Sequence, residues 1–469
     1  MTLPTIEVRS FDFFVFPMKT RFPFQYGIAS MTELPHLFVT ARILVDGQEE
    51  TGVSSEGLAP KWFTKDPATT FEQDLPVMRE VIDHAAAVAS GLPAPTFFDF
   101  WRELYQAQLD WARNEGVPPL LANLGVSLVE RAVLDGLCRA EGKPFGEMLR
   151  ENRLGIRAGE IDSGLNGFEP AELLPEQPLK KIFVRHTIGL GDPLTDADIK
   201  ESLDDGLPHS LEASIREYGL THFKVKICGD LDRDRARLAG IYNVLQSTVE
   251  GEFLITLDGN EQFSDIASFR EHWEEYQKDD AIRPLLDHIL FVEQPLHREH
   301  ALEDGVQSAL ANWPEAPPLI IDESEAALDS LPRALELGYS GTSHKNCKGV
   351  MKGVINAMRV EKRRRDEPER DWILSGEDLA NVGPVALLQD LAVMASLGVG
   401  HVERNGHHYF RGLSAFSDAV QEEVLSAHGD LYRRHENGFA TVRIESGRIE
   451  ITSLVEAPFG AKPLFQGEE

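Results

Sequence analysis

The sequence is poor in cysteine, in basic residues and in long apolar runs, and each shortage excludes a class of protein. Its 469 residues include only three cysteines, which have neither metal-site spacing nor the even number of a disulfide framework. This scarcity is typical of a reducing compartment, so we expect a cytoplasmic protein. The first thirty residues lack a charged start followed by an apolar stretch, and no segment approaches the roughly 20 apolar residues of a membrane span. We therefore expect neither a secretory leader nor a membrane partner.

The charge balance argues against nucleic acid as a partner. The chain has 46 basic and 77 acidic residues, a formal net charge of −31. A nucleic-acid surface needs clustered Lys and Arg to neutralise phosphate. The one basic block, Lys362 to Arg365, is followed at once by Asp366 and Glu367, as is typical of a solvated helix end.

The first 150 residues predict an α+β unit that caps a second domain. Strand patterns over 6–17 and 36–45 are followed by Asp46-Gly47, which predicts a hairpin turn into a third strand ending at Ser55. Residues 21–33 read as an aromatic loop. Helical periodicity covers 71–90 and 123–149. Residues 151–181 show no periodicity and predict a linker or insertion.

Residues 182–430 alternate between apolar strands, acidic loops and amphipathic helices. The strand candidates are 182–188, 221–227, 253–258, 289–294, 318–322, 340–345, 371–375 and 399–403. Eight strands separated by helices predict a closed (β/α) barrel of the TIM type, in the α/β class. In the remainder, 431–469, we expect strands over 439–444 and 448–454 to form a hairpin that packs back on the N-terminal unit.

Charged residues at successive strand ends carry the chemistry. Lys224 and Lys226 are two residues apart on one strand, so both side chains project the same way, into the barrel or its mouth. Two buried like charges depress one another's pKa, which would make one lysine a usable base near neutral pH. Because the carboxyl ends of barrel strands meet on one face, we expect these lysines to share a pocket with residues from the following strands.

Three carboxylates follow the next three strands, at Asp258, Glu293 and Asp322. A single Asp at a strand end is often a helix cap, but three in succession opposite paired lysines favour a metal site. Oxygen ligands without His or Cys favour Mg²⁺, or Mn²⁺, over zinc. Glu323 should face away from Asp322 in a continued strand, so we expect only one of the two to touch the metal.

This ordered set resembles the enolase superfamily, in the branch that includes muconate-lactonizing enzymes, succinylbenzoate synthase and dipeptide epimerases. The resemblance spans nearly the whole chain. It includes the three-stranded start, the segment Gly142 to Phe145, the KxK strand, the DGN, EQP and DES segments, and the lysine after the sixth strand. It implies an isomerase or lyase that acts on a small-molecule carboxylate, and a homo-oligomer.

The resemblance also implies roles for single residues. Asp258, Glu293 and Asp322 would bind the metal. Lys226 would be the base on one face of the substrate α-carbon, modulated by Lys224, with Lys345 as acid or base on the opposite face. The remaining candidates would support or contact the substrate: Asn260, Glu323, Glu377, Glu403 and Tyr26.

Several alternatives stay open at this point. The sixth-strand segment lacks the usual glycine pair, which makes Lys348 a rival to Lys345. Glu403 either holds a substrate ammonium or hydroxyl, or pairs with Arg404 or Arg411. The outcome of proton abstraction can be epimerisation or racemisation, dehydration or cycloisomerisation. A Schiff-base lysine aldolase and a non-catalytic barrel that binds metal or ligand are the alternative functions.

Overall fold

An antiparallel sheet opens the chain in the computed structural model, which describes residues 2–465 and 467. Its strands are β1 (Ile6–Phe16), β4 (His36–Val45), β5 (Gln48–Gly57) and the short β6 (Pro93–Ala94). They lie in the order β5-β4-β1-β6. The turn between β4 and β5 is Asp46-Gly47, with φ of 49° and 81°, which is the left-handed backbone that a tight hairpin requires. The predicted hairpin is therefore confirmed.

Residues 21–33 form a second hairpin rather than the predicted loop. It consists of β2 (Lys19–Tyr26) and β3 (Ala29–Glu33), which pair antiparallel. Gly27 has a φ of 49° at the turn, a conformation that glycine adopts without steric cost. This hairpin reaches the barrel, because Phe24 of β2 stacks on Tyr409 with ring centroids 4.2 Å apart.

Helices cover one side of the N-terminal sheet. They are α1 (Phe71–Ala89), α2 (Phe97–Glu115), α3 (Pro119–Glu141) and α4 (Phe145–Arg150), followed by the short α5 (Pro170–Leu173). Helix α2 was not predicted. The helical stretch predicted over 123–149 divides into α3 and α4 at Gly142, which ends α3 in the left-handed conformation. Residues 151–181 contain two 3₁₀ turns and α5; treating them as a linker, with the domain boundaries given above, remains a prediction.

Eight parallel strands close into the predicted barrel. They are β7 (Lys181–Ile188), β8 (His222–Lys226), β9 (Leu254–Asp258), β10 (Ile289–Glu293), β11 (Leu319–Ile321), β12 (Gly341–His344), β13 (Ile373–Gly376) and β14 (His401–Arg404). Each pairs with the next, and β14 pairs with β7 to close the circle. This confirms a TIM-type barrel with an N-terminal capping unit, and so the predicted fold class.

Helices surround the barrel between its strands. They are α6 (Leu211–Tyr218), α7 (Leu231–Thr248), α8 (Ile266–Lys278), α9 (Arg283–Leu286), α10 (Gly305–Ala311), α11 (Ser330–Leu337), α12 (Val350–Asp366) and α13 (Ala386–Leu397). Local sequence sets their ends: Asp265 caps α8 by accepting the backbone N–H of Ser268 at 2.8 Å, and Gly219 ends α6 with a φ of 61°. No helix of the described residues has both the length and the apolar character that a membrane crossing requires.

The C-terminal segment corrects one prediction. After α14 (Gly406–Tyr409) and α15 (Asp418–Ala427), β15 (Tyr432–Arg434) pairs with β16 (Ala440–Val442), while β17 (Arg448–Glu450) joins the barrel sheet beside β7. The expected hairpin between 439–444 and 448–454 is therefore wrong. After α16 (Thr452–Val455), the chain does return to the N-terminal unit, where Phe465 packs on Phe38 at 4.7 Å.

Candidate active site

The carboxyl ends of neighbouring barrel strands bring the predicted side chains to one level. In the strand register Lys226 lies beside Asp258, and Asp258 lies beside Glu293. Alternation along β8 turns Phe223 and Val225 away from Lys224 and Lys226, so the apolar pair packs in the core while the lysines share the other face. The alternation of side chains along β8 therefore places the two lysines inside the barrel.

Lys224 lies at the centre of four carboxylates. Its Nζ is 2.7 Å from Glu293 Oε2 and Glu377 Oε2, and 3.0 Å from Asp258 Oδ2 and Glu403 Oε2. Burial alone would lower the pKa of this lysine, but the four carboxylates outweigh burial and hold its pKa well above the usual value. The expectation that the paired lysines depress each other's pKa is wrong for Lys224, which is a fixed cation.

Lys226 and Lys345 pair with different carboxylates. Lys226 Nζ donates to Asp258 Oδ2 at 2.5 Å, and Lys345 Nζ donates to Asp322 Oδ2. Burial acts to lower the pKa of Lys345, but the negative charges of Asp322 and Glu293 raise it above the ordinary value, so Lys345 is an ammonium here. Both lysines line the same pocket.

Lys348, the rival to Lys345, does not line this pocket. It is buried beneath Asp322, where its Nζ donates to Asp322 Oδ1 at 3.1 Å and to the backbone oxygen of Ser343 at 2.7 Å. Lys348 therefore holds Asp322 from behind, and Lys345 is the lysine that faces the open space.

The candidate metal ligands have suitable chemistry but are ion-paired with lysines. Among the described residues, neither oxygen of Glu293 has a hydrogen-bond partner, although Oε2 forms an ion pair with Lys224 Nζ at 2.7 Å. In residues 2–465 and 467, no three His, Cys, Asp or Glu side chains converge as a metal site. Lysine ammonium groups contact both Asp258 and Asp322 instead. By donor type, these three carboxylates fit a hard divalent ion.

The seventh-strand candidate Glu377 lies beneath Lys224. Its Oε1 accepts hydrogen bonds from Arg185 and, at 2.5 Å, from Ser375 Oγ, while its Oε2 accepts from Lys224. Arg185 is fully buried inside the barrel and also contacts His401. Glu377 therefore supports Lys224, and it does not line the pocket.

The eighth-strand candidate Glu403 lines the pocket with its neighbour Asn405. Its Oε1 accepts from Thr187 Oγ1 at 2.7 Å and from Asn405 Nδ2 at 3.0 Å, while Oε2 contacts Lys224. The alternative pairing with Arg404 is wrong, because Arg404 donates to Asp378. Pairing with Arg411 is not seen either; the Arg411 guanidinium lies 4.7 Å from the Phe439 ring centroid.

Asn260 and Glu323 adjoin each other next to the metal-ligand candidates. Asn260 lines the pocket, and its Nδ2 lies 3.5 Å from Glu323 Oε1. Burial, and then the charges of Asp322, Glu261 and Asp258, raise the pKa of Glu323 to about 7. Glu323 itself is buried behind the pocket wall.

The capping unit covers the pocket with aromatic rings. Tyr26 of β2 lies over Lys226, with Nζ 6.0 Å from the ring centroid, and its hydroxyl donates to the backbone oxygen of Pro60 at 2.8 Å. Trp62 lies over Lys345 at 5.0 Å. Tyr26 was predicted from the sequence, whereas the pocket residues Trp62 and Asp378 were not. Asp378 could have been predicted, because it directly follows the candidate Glu377.

Three solved structures illustrate what the chain resembles. A mandelate racemase/muconate lactonizing protein from Herpetosiphon aurantiacus matches with a TM-score of 0.58 and 18% identity, over 95% of this chain and 96% of that one. A muconate lactonizing enzyme from Pseudomonas fluorescens, complexed with muconolactone, gives 0.57 and 16%, over 95% and 94%. A dipeptide epimerase from Enterococcus faecalis, complexed with Mg and a dipeptide, gives 0.57 and 14%, over 86% and 92%.

The similarity to known proteins lies in three-dimensional structure. No family model and no curated protein sequence matches the chain. The structural matches, by contrast, extend over the capping unit and the barrel together, with more than nine-tenths of each of these relatives covered. The chain therefore has the fold that the mandelate racemases and muconate lactonizing enzymes of the enolase superfamily share.

Proposed function

We propose that this protein is an enzyme that removes the α-proton of a carboxylate substrate. The observation that carries the proposal is the placement of Lys226 and Lys345 in one pocket, each ion-paired with a different carboxylate, Asp258 or Asp322. Lysines in two positions around one α-carbon permit removal of a proton by one and its return by the other. Such chemistry leads to epimerisation or racemisation, to dehydration or to cycloisomerisation.

The lysines have distinct parts in this proposal. Lys226 in its neutral form accepts the α-proton, and Lys345 holds a proton as an ammonium that it can deliver on the other side. Lys224 keeps its charge among its carboxylates and fixes the positions of Asp258 and Glu293. Its role is electrostatic and positional.

We also propose that Asp258, Glu293 and Asp322 hold Mg²⁺, with Mn²⁺ as the alternative. The hard oxygen donors of these three carboxylates support this assignment, as does the clustering of their strand ends around Lys224, Lys226 and Lys345. When bound, the ion supplies positive charge near the substrate carboxylate, where negative charge develops as the proton leaves. The dipeptide epimerase with the same fold was solved with Mg.

The test is α-deuteration in D₂O with Mg²⁺, followed by mass spectrometry. The panel contains acid sugars, dipeptides, N-acylamino acids and lactones. For a substrate that exchanges, we expect Lys226→Ala and Lys345→Ala to lower the rate by about 10²- to 10⁴-fold, the range for general acid–base groups. Lys278→Ala, which removes an exposed lysine on α8, is the matched control and should exchange normally.

Two results would contradict the proposal. Full exchange by Lys226→Ala would exclude it as the base. Borohydride trapping of a substrate adduct would instead favour a Schiff-base enzyme. Calorimetric titration with Mg²⁺ tests the metal separately: Asp258→Asn and Asp322→Asn should weaken binding, and no binding to the wild type would remove the metal from the proposal.

A further inference from the structure

The outer wall of the pocket is apolar on both the capping side and the barrel side. The residues that form it are Phe24, Met31, Trp62, Leu379 and Ala380. All five are buried. A small cavity of about 30 Å³ lies between this wall and the lysines. A ligand in the pocket must therefore place part of its surface against aromatic and aliphatic side chains.

The polar groups around the pocket are largely satisfied by one another. Glu403 accepts hydrogen bonds from Thr187, Asn405 and Lys224. Asp378 accepts from Arg404, from Asn405 and from the backbone of Ala380. The Tyr26 hydroxyl is committed to Pro60. These groups are not free to pair with a ring or chain of substrate hydroxyls.

Two pocket-lining amides have an acceptor to spare. Asn405 Nδ2 donates to Asp378 at 3.1 Å and to Glu403 at 3.0 Å, and these carboxylate partners fix the orientation of the amide. Asn260 Nδ2 faces Glu323 in the same way. In the part of the chain that the structure describes, the buried Oδ1 atoms of both asparagines have no hydrogen-bond partner. They are positioned to accept from one or two donors on a ligand.

From this distribution we infer the substrate class of the site, on the basis of the proposed function. The substrate is a carboxylate with one or two hydrogen-bond donors near its α-carbon, for Asn260 and Asn405, and with an aliphatic or aromatic distal group against Trp62 and Leu379. A polyhydroxylated acid is disfavoured, because each distal hydroxyl would be buried on the apolar wall without a partner.

The test compares acids that differ only in their distal part. Phenyllactate and leucic acid represent the apolar class, and gluconate and galactonate the polyhydroxylated class; all four have a carboxylate, an α-hydrogen and an α-hydroxyl. Each is titrated into the Mg²⁺-loaded full chain by calorimetry, and each is assayed for α-deuteration. We expect the apolar acids to bind at least tenfold more tightly and to exchange preferentially.

A variant locates the preference in the pocket wall. Leu379→Asn should narrow the ratio of apolar to polyhydroxylated binding at least tenfold. Leu425→Asn, the same change on α15 at a half-buried position outside the pocket lining, should leave the ratio unchanged. If Leu379→Asn does not fold, Trp62→Gln tests the same wall from the capping side.

The outcomes separate this inference from the proposed function. Tighter binding of gluconate or galactonate, or no binding of either apolar acid, overturns the substrate class. Apolar acids that bind with the expected preference but show no exchange, in wild type and all variants, support the substrate class and contradict the proposed proton abstraction.

Discussion

The ammonium of Lys224 contacts more carboxylates than any other cation named in the candidate site. Four carboxylates lie within 3.0 Å of its Nζ, and the whole group is buried. Removing one partner of a buried ion pair leaves charges without compensation, which is far more costly than replacing the pair as a whole. Lys224 is therefore a residue on which both the barrel and the candidate site depend.

We expect Lys224→Met to lower the free energy of unfolding by about 3–5 kcal/mol, the cost of breaking a buried ion pair from one side. Urea denaturation at neutral pH measures it. Lys362→Met is the control, because Lys362 pairs with the half-exposed Asp366 one helical turn away and such a pair contributes about 0.5 kcal/mol or less. Equal losses in the two variants would show that the carboxylates around Lys224 do not need its charge.

The side-chain directions that follow from strand alternation were predictable from the sequence. The alternation of β8 correctly put Lys224 and Lys226 on one face inside the barrel. It could not give the pKa of Lys224, because the carboxylates of Glu377 and Glu403 come from strands more than 150 residues away. The contact between Glu403 and Thr187 was missed for the same reason, because only barrel closure brings β14 beside β7.

At the scale of elements, one loop of the capping unit is fastened to the barrel. The capping loop, residues 58–70, includes Trp62, which covers Lys345. Glu261, which follows β9 of the barrel, pairs with two cations. It is 3.1 Å from Nζ of Lys65, which belongs to the loop, and 2.6 Å from Nε of Arg298. Arg298 in turn donates to the backbone oxygen of Trp62 at 3.0 Å. The buried carboxylate of Glu261 therefore links the two cations that connect this loop to the barrel.

We expect Glu261→Gln to loosen the capping loop, because it removes the charge shared by Lys65 and Arg298. Hydrogen–deuterium exchange should increase over residues 58–70, and the KM of any substrate found should rise about tenfold, the equivalent of about 1.4 kcal/mol. Glu274→Gln on α8 is the matched control, since Glu274 pairs with the partly exposed Arg270 on the same helix, outside the capping loop. Unchanged exchange in Glu261→Gln would mean that packing alone holds the loop.

Elements were predictable in proportion to their local signals. The barrel strands were found because short apolar runs recur at regular intervals. Helix α2 was missed although Thr96 caps it and its buried residues follow a helical period, because its many aromatic residues obscured that period. The pairing of β17 with β7 joins segments more than 260 residues apart, and no local pattern encodes it.

At the scale of the whole molecule, buried histidines with lowered pKa values are spread over the capping unit, the barrel and the C-terminal segment. His36 begins β4 and packs its ring against Phe410 of the barrel domain at 6.5 Å. Burial lowers the pKa of His36 to about 4, an effect that its hydrogen bond to the backbone oxygen of Leu34 opposes only in part. Burial also lowers the pKa of His222 and of His428 to about 4. Folding therefore disfavours protonation of these three histidines.

This arrangement predicts that stability falls as the solution becomes acidic. The pKa of His36 is about 6.5 unfolded and about 4 folded, so its contribution is fully present above pH 6.5 and is lost as the pH falls towards 4. A lowering of this size corresponds to about 3 kcal/mol.

Urea denaturation of wild type and His36→Gln between pH 7.5 and 4.5 should show a shallower pH dependence in the variant, whatever its absolute stability. His300→Gln is the control: the pKa of this exposed histidine is raised by Glu303, so its removal should not flatten the curve. Parallel curves for wild type and His36→Gln would show that protonation of His36 does not contribute to the loss of stability at low pH.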